Sequence, residues 1–131
     1  MKFLEALHKS LPRECISFPH VGLAKIIEPK NNLVDFNNIA SKHVDICVFL
    51  RKTMQPILII DLFQQSPAAQ QLKKFDNDIN SVLKEVKIPV LHKQIQQKYN
   101  TDALRMEVLK AMNNDTVAYL KDINMGNIVN N

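Results

Sequence analysis

Two apolar runs joined by a short linker constrain the fold of this chain more than any other feature: HVDICVFL (His43 to Leu50) and ILIIDLF (Ile57 to Phe63), with RKTMQP between them. Successive side chains of a strand alternate, so Val44, Ile46, Val48 and Leu50 fall on one face of the first run and Asp45, Cys47 and Phe49 on the other. The second run is apolar on both faces apart from Asp61, the pattern of a central strand covered on two sides. So short a linker predicts an antiparallel hairpin, and a fold midway through it brings Asp45 opposite or nearly opposite Asp61. Directly opposed side chains have Cβ atoms roughly 4.5–5.5 Å apart, where two like charges repel. A bridging divalent cation, a shared proton or a splayed register would relieve that repulsion.

Around this hairpin the periodicity sets out an α/β order. Phe3, Leu4, Leu7 and Leu11 line one helical face up to Pro12, so residues 2 to 11 read as an opening helix. ECISF reads as a short strand ended by Pro19. The apolar stretch from Val21 to Ile27 fits strand or helix, as does DFNNIAS after the turn EPKNN. SPAAQQLKKFDNDINSVLKEV predicts a helix starting at Ser66 with Pro67 in its first turn, its apolar face carried by Leu72, Phe75, Ile79, Val82, Leu83 and Val86. IPVLHK follows as a strand and TDALRMEVLKAM as a helix. The order is that of an α/β domain, a mixed sheet flanked by helices, over residues 1–112, with the Asn-rich residues 113–131 as a C-terminal tail that carries a helical-turn signal at Val117 and Leu120 and reads as either loosely held or docked on the domain or a partner.

At 131 residues with 46% hydrophobic content, one domain with one proper core is the natural count. Cys15 and Cys47 sit in apolar, strand-like contexts without metal-ligand spacing, and read as buried free thiols. No run approaches about 18 apolar residues, so membrane insertion is not expected, and the start MKFLEALHKSLP lacks the apolar stretch of a signal peptide. A cytoplasmic protein is the expectation. A net charge of +4 permits contact with nucleic acid but falls short of a polybasic binder. Arg51, Lys52, Lys73 and Lys74, with Lys93, Lys98 and Arg105, are the candidates for a basic rim, yet acids intersperse them and a 6% aromatic content offers few stacking platforms.

The blocks FPHVGLAKII, FNNIASKHVDICVFL, PILIIDLFQQS and FDNDINSVLKEVKIPVL, taken in order over about residues 3 to 112, resemble a bacterial domain-of-unknown-function family grouped with the restriction-endonuclease-like, PD-(D/E)XK, nucleases. The resemblance implies a restriction-endonuclease-like core. In that superfamily a strand aspartate and a second acidic residue bind a divalent metal, and a third residue two positions on, usually lysine, helps activate water. The spacing has a chemical reason: residues i and i+2 of a strand point the same way, so acid and lysine reach one magnesium-bound water together. Carried onto this chain, the resemblance makes Asp45 the first acid and Asp61 the second, both as metal ligands and catalytic remnants, and puts Phe63 in the third place. A benzene ring neither binds a metal nor polarises water. The resembled family commonly has an acidic residue there and a Ser-His pair soon after, whereas here Ser66 is followed by Pro67.

Three functions follow as expectations. The first is a catalytically degenerate nuclease-like domain acting as a binding or assembly subunit, with nucleic acid or a protein as partner and no cofactor. The second is an active magnesium-dependent endonuclease using Asp45 and Asp61, its lysine moved to Lys42, Lys73 or Lys74. The third is a purely structural protein-protein interaction module. Glu5 reads as a solvated helix residue, and His8, His20 and His92 have no metal-ligand spacing and read as surface. No Gly-rich phosphate loop, nucleophile elbow or HExxH motif competes with the aspartates.

Overall fold

A computed structural model describes residues 2–27, 41–64 and 76–129, with side chains described as far as Asp122. The elements run α1 (Lys2–Ser10), β1 (Cys15–Gly22), a 3-10 turn (Leu23–Lys25), β2 (His43–Leu50), β3 (Pro56–Phe63), α2 (Asn77–Glu85), β4 (Val90–Gln94), α3 (Thr101–Ala111) and α4 (Asn114–Val129). The strands form one sheet in the order β1-β2-β3-β4, with β1–β2 and β2–β3 antiparallel and β3–β4 parallel. Antiparallel neighbours need only a tight hairpin. The parallel pair needs a crossover, supplied by the segment containing α2.

The expected hairpin forms in the expected register, with Ile46 facing Ile60, Cys47 facing Ile59 and Val48 facing Leu58; a shift between Val48 and Phe49 then sets Phe49 against Pro56. β3 is a central strand, as its two-sided apolarity required. Its even-numbered residues Leu58, Ile60 and Leu62 pack with Ile46 and Val48 against α1, α3 and α4 through Phe3, Leu7, Leu104, Val108 and Leu120. On the other face Ile59 packs with Cys47 and Phe49 against Ile79, Val82 and Leu83 of α2. Helices therefore cover both faces of the mixed sheet.

The structure differs from the sequence expectation in three places. Pro19 does not end β1, which continues to Gly22; β1 is the outermost described strand, where a residue without an N–H leaves no ladder bond unmade. The helix expected from Ser66 is described from Asn77, and its first part, with Leu72 and Phe75, lies outside the described residues, as does most of DFNNIAS. The stretch read as a tail is helical over Asn114–Val129, and Leu120 is buried to 2% exposure in the α1 and α3 cluster. Both cysteines are free and buried, as expected. Burial pushes the Cys15 thiol up to about 11, with Glu14 adding to the effect, and the Cys47 thiol up to about 12.

Asp76 starts α2 by accepting hydrogen bonds from the Asp78 and Ile79 amides, and its other carboxylate oxygen accepts from Lys42, just ahead of β2. That lysine bond holds the Asp76 carboxyl below its ordinary range and raises Lys42. A carboxyl depressed in the folded state contributes stability that is present above its unfolded pKa and lost as pH falls through the folded one. Asp76→Ala is expected to lower stability by about 1 kcal/mol at neutral pH, read as a shift in the urea midpoint. The Asp76→Asn protein should recover most of the cap, and its difference from the parent should shrink as the solution is acidified. Leu120→Ala is expected to cost about 2–4 kcal/mol by the same measurement if α4 is part of the folded unit, and almost nothing if it is not.

Candidate functional site

The two aspartates lie side by side on adjacent strands. The β2–β3 pairing runs back to Ile46 and Ile60, and Asp45 and Asp61 are the next residue of each strand beyond that last pair. Asp61 is also paired across the parallel ladder with His92, and on the outer side His20 lies between Pro19 and Val21, which pair with Ile46 and Val44. A row His20, Asp45, Asp61, His92 thus crosses all four strands.

The backbone is bent at this row. His20 has φ 53°, in the left-handed region that a residue with a Cβ rarely adopts, and its ring stacks on that of His43 at 4.4 Å with 6° between planes. Past it both strands change sides. Val21 and Val44 pack in the cluster of α2, whereas Cys15, Ile46 and Val48 pack with α1 and α3. Asp45 sits where β2 makes this switch, and Asp45 Oδ2 accepts the Leu62 N–H at 2.9 Å. In a continued ladder that amide would meet the backbone of Val44. The carboxylate takes the place of a main-chain carbonyl, and the two strands fork around it.

Asp61 answers its burial differently. It is 9% exposed, and its Oδ2 accepts from His92 Nδ1 at 2.9 Å. An ionised carboxylate only accepts, so the Nδ1 position carries the proton and the tautomer follows from the bond. The histidine is the wet partner, with its side chain 51% exposed against 12% for the aspartate. Each carboxylate thus has its own hydrogen-bond donor. Among the described residues no group of three or more His, Cys, Asp or Glu is placed to hold a metal ion.

The remaining candidates scatter. Phe63, two residues beyond Asp61, is half-buried and pairs with Gln94. Lys42 is engaged with Asp76, and Lys93 donates to Glu107 at 2.9 Å from the strand face opposite His92. Arg51 and Lys52 lie in the hairpin turn at the far end of β2 from Asp45, where Arg51 donates to the Arg13 and Cys15 carbonyls. Lys73, Lys74 and Ser66 lie outside the described residues. Glu5 is exposed on α1.

His92 is the residue that sequence reasoning missed. A signal for it exists: Ile57-Leu58-Ile59-Ile60-Asp61 and Ile88-Pro89-Val90-Leu91-His92 are both apolar runs closed by a polar residue, and the parallel register aligns them end to end.

The fold is thus an α/β domain built on a four-stranded mixed sheet with an acidic fork at one end. Residues 1–112 match the model of a protein family described as a protein of unknown function, DUF2726, and the chain belongs to that family. No curated protein and no solved structure matches the chain. The match stops short of α4.

Removing His92 leaves a buried carboxylate without that donor, while removing both partners does not. His92→Ala is expected to cost about 1–3 kcal/mol in urea unfolding and the double variant Asp61→Asn with His92→Ala less than the sum of its parts. Additive losses would show that the bond contributes nothing to stability.

Proposed function

We propose that this domain has the restriction-endonuclease-like, PD-(D/E)XK architecture with a disarmed centre, and that it works in the cytoplasm by binding, as a subunit of a larger assembly or on nucleic acid. The observation that carries this reading is the state of the second acid: Asp61 is bonded to His92, and the next residue on its strand face, Phe63, has no polar atom to offer. The strand order, the antiparallel β1–β2–β3 and the parallel β4 are compatible with such a core.

Magnesium prefers hard oxygen ligands and keeps several waters. Asp45 and Asp61 offer carboxylates, but one oxygen of each accepts a hydrogen bond, and the third position is a hydrocarbon ring. The described residues therefore do not fit a resident magnesium ion of the kind the resemblance implies, and no reaction step is routed through one. Binding does not need the ion. The fork still presents two acids and a half-exposed imidazole at one end of a rigid sheet.

The second reading, an active magnesium-dependent endonuclease, is favoured by one observation, the position of Asp45 and Asp61 just beyond the Ile46–Ile60 pair on adjacent strands. A titration of magnesium and of manganese over a mixed single- and double-stranded DNA substrate separates the two. The expected result is no cleavage at any metal concentration, and any DNA affinity present should fall steeply with salt. Metal-dependent cutting that disappears in both the Asp45→Ala and Asp61→Ala proteins would overturn the binding reading.

A further inference from the structure

The structure also points to a docking groove remote from the acids, and we infer that the outer edge of β1, together with the end of α1, receives an extended acidic segment of a partner protein. This surface runs along β1 from Cys15 to Pro19, short of His20, and the inference stands whether or not the fork holds a metal.

A cavity of about 430 Å³ opens here, lined in part by His8, Leu11, Cys15, Ser17, Phe18 and Arg51. Among the described residues its floor is a sheet edge. The Arg51 N–H donates to the Glu14 carbonyl at 2.8 Å across the β1–β2 pair, so by alternation the backbone groups of Cys15 and Ser17 face outward; the Cys15 N–H is taken by the Pro12 carbonyl at 3.0 Å, which leaves the Cys15 carbonyl and the Ser17 groups for an added strand. Their carbonyls are met by side chains only at long range: Arg51 Nη2 to Cys15 O and His8 Nε2 to Ser17 O, both at 3.4 Å. Contacts so long are readily exchanged for the amides of an added strand. Ser17, which lines the cavity, is also 3% exposed with a hydroxyl that has no hydrogen-bond partner among the described residues. An unsatisfied buried hydroxyl is a standing cost that an incoming amide or carbonyl would relieve.

Charge and shape define the occupant. Arg51 lines the cavity, with the exposed Arg13, whose carbonyl it holds, and the exposed Lys52 next to it in sequence, while Glu14 is partly exposed and Glu5 lies further back on α1. Phe18, 41% exposed and edge-on to Phe49 at 6.0 Å, offers an apolar seat. Acidic side chains alternating with apolar ones match both. Pro19, without an N–H, and the bend at His20 stop pairing on that side. The added strand is therefore short, and a second copy of this cationic edge is a poor occupant.

The test uses the full chain and two blocked eight-residue peptides, one alternating Glu with Val and one alternating Lys with Val, followed by fluorescence anisotropy and by amide chemical shifts. The acidic peptide is expected to bind saturably and to shift the Ser17 and Phe18 amides, while the basic peptide does not bind. Arg51→Glu should weaken binding about tenfold or more. His8→Glu, at an exposed position of α1 that lines the cavity, should weaken it in the same direction. Equal binding of the two peptides, shifts confined to other residues, or an unaffected His8→Glu protein would each overturn the inference. So would concentration-dependent dimerisation through this edge in the absence of peptide, which would assign it to a second copy of the chain.

Discussion

A carboxylate in the middle of an apolar central strand has to be hydrogen-bonded where it lies, and the fold is arranged around that requirement at Asp61. The donor is His92 on the neighbouring parallel strand. Slippage of β4 by one residue would put Leu91 or Lys93 beside Asp61, and would send every β4 side chain to the wrong face. The Asp61–His92 bond and the alternation of Val90 and Leu91 between the two cores thus favour the same register. Polar and apolar constraints agree, which is how a short strand of five residues acquires a unique position.

The same end of the sheet shows how a second carboxylate can be accommodated without a second imidazole. Asp45 replaces a backbone acceptor, and the strands part around it. Bending β1 and β2 there requires a residue in the left-handed region, and His20 adopts it while stacking on His43. Backbone strain of about 1 kcal/mol or more is characteristic of places where a fold serves more than its own stability. The fork, the stacked rings and the buried acid are one connected deformation, and the proposal of a binding surface at this end rests on that connection.

Much of the architecture was legible from local pattern. Alternation gave β2, two-sided apolarity gave the central position of β3, and linker length gave the hairpin and its register. Leu104 and Val108 gave α3, both buried as the spacing required. What escaped was non-local. His92 meets Asp61 only because a crossover lays one run beside the other, and sequence spacing carries no trace of that distance. Pro19 looked like a terminator because its missing N–H was judged without knowing that β1 is an outer strand. In the Asn-rich tail a helical turn at Val117 and Leu120 was legible, but weak periodicity left docked and loosely held readings both open. Arg51 and Lys52, read as part of a basic rim, lie a strand's length from Asp45.

The two thiols carry a last implication. Cys15 and Cys47 lie inside the sheet's two opposite cores, 3% and 0% exposed, and both remain protonated far above neutrality. Thiolate is the form that oxidants and electrophiles attack, so neither sulfur is a target while the sheet is closed. Chemical modification of this protein at neutral pH would therefore report on the opening of each half of the core separately, giving the molecule two internal clocks of its own breathing.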